Sequence, residues 1–229
     1  RIRDARRTPD GSTERRGMAA LRRSFLASAN LGEALARVRK ESVPEDADVI
    51  REVLLYFREP YEEIWNDGRV PERFARLARR DPGRDRLERL LSTIAVFFDV
   101  DPNGDPGPTV FPVPVPDGYG THATAVGPYL LIEVRPTDRL RQQASVIVHE
   151  NAHFLFTLIE AERLRRFETI AGRDGRTRQA WKSLREALPT ALGQGVTDRE
   201  FRPGSWSSDK AWYHTEAVDT YAKALYPLV

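Results

Sequence analysis

Cysteine is absent from the 229 residues of this chain, and histidine occurs only four times. Without thiols the chain can form neither disulfide bonds nor a thiolate zinc site, so any metal must be held by imidazole and carboxylate groups. Long hydrophobic runs are also lacking, and no stretch approaches the roughly 20 apolar residues that a membrane-spanning helix needs. We therefore expect no membrane span. The four histidines are His122, His149, His153 and His214.

Lysine is scarce as well, because only four of the 36 basic residues are Lys and the rest are Arg. Asp and Glu together number 34, which leaves a formal net charge of +2. The acids are interspersed with the arginines almost one for one, as in RDPGRDR at 80–86, and no basic and aromatic interleaving marks a nucleic-acid surface. We therefore expect no nucleic-acid partner.

Composition divides the chain into three parts. Residues 1–16 are polar and predict a flexible N-terminal arm. Residues 17–100 carry apolar side chains at helical spacing, and 101–229 are predicted to add a small sheet and further helices. We expect an α+β fold in which 17–229 form one domain. Because the chain begins at Arg1, one expectation is an exported protein whose signal segment was removed before this residue, and the compartment stays open.

Proline and glycine are concentrated in 101–120, which excludes a helix there. Val110, Val113 and Val115 alternate in this stretch and predict a Pro-interrupted edge strand. Two further strands are predicted at 121–126 and 129–134, the second of them buried. One helix, or two short helices divided near Gly32, is predicted over 18–40. Further helices are predicted over 44–58, 71–79, 84–97, 138–167, 176–192 and 209–225.

The sequence HENAH at 149–153 forms an H-E-x-x-H motif within the predicted helix 138–167. Positions i and i+4 lie about 40° apart around a helix, so His149 and His153 can meet one ion. Glu150 lies about 100° from His149, where its carboxylate can reach metal-activated water as a general base. Burying these groups in an apolar helix costs several kcal/mol unless they are paired or bind metal. The pattern therefore predicts a zinc site.

The segment VIVHENAHFLF at 146–156 resembles the active-site helix of zincin metallopeptidases. The resemblance covers about 110–165 and implies a mixed sheet whose edge strand lies over the metal, followed by the active-site helix. Phe156 and Ile159 stand where the metzincin pattern has Gly and His, so a glutamate third ligand is implied, as in gluzincins. The segment EALPTALGQG at 186–195 looks like one in uncharacterised bacterial zincin-like proteins. The implied fold combines a helical N-terminal part, the small sheet, the motif helix and C-terminal helices.

Two glutamates are candidates for this third ligand. Glu186 is preferred, because the small residues after it would let its helix approach the motif helix closely. Glu216 lies in a later predicted helix, where Asp219 one turn on could orient a histidine ligand, and it stays the alternative. The small residues are Ala187, Thr190, Ala191 and Gly193.

The chemistry expected from the resemblance is zinc-dependent cleavage of a peptide or protein substrate. His149, His153 and Glu186 would bind Zn²⁺. Tyr213 and His214 are candidates to stabilise the charge that develops on the carbonyl oxygen. The substrate would pair with 120–126 by strand addition. A zinc-binding but non-proteolytic regulatory protein on the same scaffold is the alternative, and the oligomeric state is left open.

Overall fold

The computed structural model of the chain describes residues 21–22, 24–41, 44–66, 69–101, 107–116 and 122–229. The arm predicted over 1–16 lies outside these residues. The chain divides into two compact units, Arg1–Asp67 and Gly68–Val229. The helices that directly follow this boundary therefore belong to the same unit as the sheet. The single domain predicted over 17–229 stays a prediction.

The first unit contains helix α1 at Leu31–Glu41 and helix α2 at Pro44–Asn66. α2 was predicted to end near residue 58, but it continues through Pro60, which removes one backbone N–H from the helix. Two side-chain pairs at i,i+4 spacing stabilise this turn. Arg58 forms an ion pair with Glu62 at 2.7 Å, and the rings of Tyr61 and Trp65 stack with centroids 5.6 Å apart.

The second unit begins with α3 at Val70–Arg79 and α4 at Arg84–Phe97, within one residue of the predicted bounds. Pro71 lies in the first turn of α3, where a missing N–H removes no helical hydrogen bond. Apolar side chains of both helices share one core with the sheet and the motif helix. Its buried members include Phe74, Leu87, Ile94, Leu130, Ile132, Ala144 and Val148.

Strands β1 at Thr109–Pro114, β2 at Ala123–Val126 and β3 at Tyr129–Val134 form a mixed sheet in the order β1-β3-β2. β1 runs parallel to the central β3 and β2 runs antiparallel to it. β1 and β2 are both edges, which suits the prolines of β1. The α+β class is confirmed, because the described chain is mostly helical and carries this small sheet.

The motif helix ends earlier than predicted. α5 spans Leu140–Leu158 and α6 spans Ala161–Ala171, whereas the sequence predicted one helix over 138–167. Ile159 and Glu160 separate them with extended ψ angles of 131° and 132°. Burial changes at the same point, since α5 is buried along most of its length while Ala171 alone is buried in α6. The charged side chains after residue 160 therefore lie outside the core.

Helix α7 at Gly175–Thr190 continues directly into a π-helical turn at Ala191–Thr197 and a short helix, α8, at Asp198–Phe201. The prediction that Gly193 and Gly195 follow the end of the helix is wrong, because both lie inside the π-helical turn. Close packing accounts for their presence there. A Cβ on Gly195 would lie 2.8 Å from Tyr226 Cδ2 and 3.0 Å from Trp212 Cζ3.

The last α-helix, α9, spans Glu216–Leu225 rather than the predicted 209–225. Asp219 explains the difference, because its Oδ1 accepts the backbone N–H groups of Trp212 and Tyr213. These bonds hold the preceding segment in a non-helical conformation over the first turn of α9. No helix within the described ranges is long and apolar enough to cross a membrane.

Candidate metal centre

His149 and His153 lie one turn apart on α5, and their Nε2 atoms are 3.2 Å apart. His149 is buried, with 7% of its surface exposed, and His153 is half-buried. Their i,i+4 spacing directs both rings toward one side of the helix, where they line the same cavity. The two nitrogens are therefore within reach of a single ion.

The backbone of the π-helical turn lies in close contact with the backbone of α5. A Cβ added to Gly193 would lie 2.6 Å from the carbonyl oxygen of Ser145 and 3.1 Å from His149 Cβ. Ala187 and Ala191, on the adjoining turns, have no exposed surface. This close approach carries the end of α7 next to the motif histidines. The small residues in this stretch thus allow the close approach of the two helical segments that the sequence predicted.

Glu186, on α7, completes a group of three side chains. Its Oε1 lies 3.1 Å from His149 Nε2, and its Oε2 lies 3.5 Å from His153 Nε2. Burial acts to raise the pKa of Glu186, but hydrogen bonds from His149 and His153 outweigh it and hold this pKa well below its usual range. The carboxylate is therefore ionised and offers a negative charge to a cation.

The donor atoms of His149, His153 and Glu186 lie within 4.8 Å of one another. Two ligands at 2.0–2.1 Å from a tetrahedral Zn²⁺ lie about 3.3 Å apart. The two Nε2 atoms are 3.2 Å apart. His149 Nε2 lies 3.1 Å from Glu186 Oε1, and His153 Nε2 lies 3.5 Å from Glu186 Oε2, so the carboxylate presents a different oxygen to each histidine. Imidazole nitrogen and carboxylate oxygen are also donors that zinc accepts. His149, His153 and Glu186 can therefore hold a metal ion.

Glu150 lies beside this group and lines the same cavity. It is 8% exposed, and its carboxylate accepts a hydrogen bond from the backbone N–H of Ala125. Burial raises the pKa of Glu150, and the lowering influence of His149 and His153 is smaller. A raised pKa brings proton exchange by a carboxylate closer to neutral pH, which suits a general base.

These side chains open into a cavity of about 600 Å³, one wall of which is the edge strand β2. The carbonyl of His122 accepts the N–H of Glu133, so it points toward the central strand. Because this direction alternates along a strand, Ala123 and Ala125 turn their backbone groups away from β3. Ala125 accordingly donates to Glu150. The outer edge of β2 thus runs beside the candidate metal centre, with its Ala125 N–H bonded to Glu150.

Tyr213 also lines the cavity, and its ring is nearly parallel to that of His149 at 6°, with centroids 6.4 Å apart. Burial, the charge of Glu186 and a hydrogen bond with it raise the pKa of Tyr213 to about 12. The phenol therefore keeps its proton at neutral pH. His214 contacts Tyr213 with centroids 4.2 Å apart, but it is exposed and is not among the described residues that line the cavity.

Glu216, the alternative third ligand, is the exposed first residue of α9. Within the described part of the chain, the group that could hold a metal ion contains Glu186 and not Glu216. Among the described residues, Asp219 has no histidine as a hydrogen-bond partner. Besides the N–H groups of the preceding segment, it binds Lys223 at 2.8 Å. The structure thus brings Glu186 to the two histidines and keeps Glu216 apart from them.

Gln194 is a residue of this site that the sequence analysis missed. It lies on the π-helical turn, lines the cavity, and has its Oε1 3.4 Å from His149 Nδ1. The sequence predicted a helix end before Gly193, and a residue beyond that end has no expected direction. The GQG spacing between two glycines was the only signal, and it is more typical of a loop.

Comparison of the chain with models of known protein families, with curated proteins and with solved structures gives no match. The class therefore follows from the fold and the site alone. The chain is an α+β protein in which the motif helix α5 and helix α7 together carry a His–His–Glu group that can hold a metal ion.

Proposed function

We propose that the protein is a zinc-dependent hydrolase, a metallopeptidase of the zincin type. The observation that carries this proposal is the convergence of donor atoms from His149, His153 and Glu186, which lie within 4.8 Å of one another. These three side chains would hold Zn²⁺. The order of the elements supports the proposal, since an antiparallel edge strand lines the cavity and precedes the motif helix.

When bound, zinc supplies a Lewis acid that activates water and polarises the scissile carbonyl. Glu150 accepts the proton of the attacking water on its carboxylate and then delivers it to the leaving amine. Its position supports this role, because Glu150 is buried beside the ligands without being one of them. The N–H of Ala125 orients the carboxylate through its hydrogen bond.

The substrate lies extended along β2 and pairs by strand addition with the outward N–H and C=O of Ala123 and the C=O of Ala125, whose N–H is bonded to Glu150. Tyr213 donates its phenolic proton in a hydrogen bond to the carbonyl oxygen as negative charge develops there. The position of Tyr213 supports a donor role, because it lines the cavity beside Glu186 and its phenol carries a proton at neutral pH. His214 contacts Tyr213 from outside the cavity lining and is assigned no step.

The experiment measures the rate at which wild type and variants, at equal zinc content, cleave a quenched fluorescent peptide library. Wild-type protein is expected to cleave, and a chelator should abolish the cleavage. Glu150→Gln should keep its zinc but lose at least about 100-fold in rate, since general acid–base catalysis is worth about 10²–10⁴-fold. Glu160→Gln is the matched control, because this exposed glutamate beyond α5 should be replaceable at full rate.

Two outcomes would count against the proposal. Equal rates for wild type and Glu150→Gln would show that Glu150 is not the base. A wild-type protein that holds zinc but cleaves no member of the library would favour the alternative, a zinc-binding regulatory protein that is not a peptidase.

A further inference from the structure

Gln194 contacts His149 on the ring nitrogen that faces away from the metal group. Its Oε1 lies 3.4 Å from His149 Nδ1, while Nε2 of the same ring lies 3.1 Å from Glu186 Oε1. A neutral imidazole that binds a cation through one nitrogen carries its proton on the other, which can then only donate. An amide oxygen accepts such a proton. Gln194 thus offers an acceptor at the atom where the metal-binding tautomer needs one.

Several contacts hold the backbone of Gln194 in place. The preceding Gly193 touches α5 so closely that no side chain fits there. The carbonyl of Gln194 accepts the indole N–H of Trp206 at 3.2 Å. That indole in turn packs against the rings of Trp212 and Tyr226, with centroids 6.0 and 5.8 Å away. The amide therefore projects from a fixed stretch of main chain.

The π-helical turn explains why Gln194 faces the site. Such a turn holds one more residue per hydrogen-bonded ring than an α-helix, so side chains after it point in new directions, and π turns are frequent at functional sites. The hydroxyl of Tyr213 forms its hydrogen bond with Glu186, which lies on the Nε2 side of the His149 ring. In the described chain, Gln194 is the residue with a hydrogen bond at that nitrogen.

We propose that Gln194 is a positioning residue of the metal centre, which holds His149 in the tautomer and ring orientation that present Nε2 to the ion. This role rests on the metal site of the proposed function, but not on peptide cleavage. Removing a group that hydrogen-bonds a metal-binding histidine typically weakens metal affinity by about 10–100-fold. Gln194 is therefore expected to set zinc affinity without touching the metal.

The test is the zinc dissociation constant, measured by competition with a chromophoric chelator. Gln194→Met keeps the size of the side chain and removes the acceptor, so its dissociation constant should rise about 10–100-fold. Gln194→Glu keeps an acceptor oxygen and should bind zinc at least as tightly as wild type. Gln143→Met is the matched control, because Gln143 lines the same cavity but donates to Asp138 instead, and its zinc affinity should be unchanged.

A purely structural role makes different predictions. It would lower the thermal stability of metal-free Gln194→Met and would not be rescued by Gln194→Glu. The positioning role predicts rescue, and it also predicts a protonated Nδ1 on His149 in nitrogen NMR spectra of zinc-loaded wild type. The NMR measurement is made on wild-type protein, so it does not depend on whether a variant folds.

The proposal is overturned if Gln194→Met binds zinc as tightly as wild type. It is also overturned if Gln194→Glu binds zinc as weakly as Gln194→Met, or if His149 Nδ1 carries no proton when zinc is bound. Failure of the peptidase proposal looks different. In that case zinc affinity would depend on Gln194 as described while no peptide is cleaved. A folded wild type that binds no zinc would overturn both.

Discussion

Gly193 lies so close to Ser145 that a Cβ on the glycine would be 2.6 Å from the serine carbonyl oxygen. This contact joins the π-helical turn to α5, four residues before His149 in the sequence. The same turn carries Gln194 and directly follows the helix that carries Glu186. The candidate metal centre therefore depends on a backbone contact between two helical segments as well as on its ligands.

Replacement of Gly193 should separate these segments. Gly193→Ala must displace backbone rather than a flexible side chain, so we expect a loss of about 1–3 kcal/mol in the free energy of unfolding and weaker zinc binding. Urea unfolding of the metal-free protein measures the first effect. Gly204→Ala is the control, because no atom lies within 4 Å of a Cβ there, and it should change stability by less than about 0.5 kcal/mol. Equal stability of the two variants would refute the proposed close contact.

Removal of the Tyr213 hydroxyl should slow the proposed reaction in the catalytic step. Loss of one donor to a developing oxyanion costs about 10²–10³-fold in kcat, so Tyr213→Phe, compared at equal zinc content, should lower kcat by at least about 10²-fold with little change in KM. Steady-state kinetics on a cleaved peptide provide the measurement. His214→Ala should retain nearly the wild-type rate because this ring is exposed. A loss for His214→Ala as large as that for Tyr213→Phe would bring His214 into the reaction.

Asp219 should make the C-terminal segment sensitive to acid. Burial acts to raise the pKa of Asp219, but the bonds from Lys223 and from the N–H groups of Trp212 and Tyr213 lower it below the ordinary value. A carboxyl group with a lowered folded-state pKa adds stability above its unfolded pKa of about 4, and this stability is lost as the pH falls through the folded pKa. Asp219→Asn should therefore be less stable than wild type at neutral pH, and the difference should shrink below about pH 4.

Urea unfolding at a series of pH values tests this expectation. Asp209→Asn, which changes an exposed acid in the preceding loop, should follow the wild-type curve throughout. A constant difference between Asp219→Asn and wild type at every pH would contradict the assigned role of the charge.

Local patterns in the sequence predicted much of the site and its surroundings. The apolar run YLLIEV at 129–134 predicted the buried strand, and the structure buries its alternate residues Leu130, Ile132 and Val134. The i,i+4 spacing of His149 and His153 likewise follows from helix geometry alone. Small residues after Glu186 indicated close packing of the helix that carries it.

Features that depend on distant contacts were not predicted. The π-helical turn exists where Gly193 meets α5 and Gly195 meets the ring of Tyr226, and neither contact is visible in the local pattern. Residues 212–215 stay outside α9 because Asp219, which lies inside that helix, binds their backbone. Gln194 was missed for the same reason, since its direction is set by the π-helical turn.

The metal content of purified protein tests the central claim most directly. Wild-type protein prepared without chelator is predicted to carry about one Zn²⁺ per chain, as three protein ligands with an open fourth position imply. Glu186→Gln should lose most of this zinc, whereas the exposed Glu216→Gln should keep it. A folded wild type that takes up no zinc at neutral pH, or loss of zinc from Glu216→Gln and not from Glu186→Gln, would contradict the account.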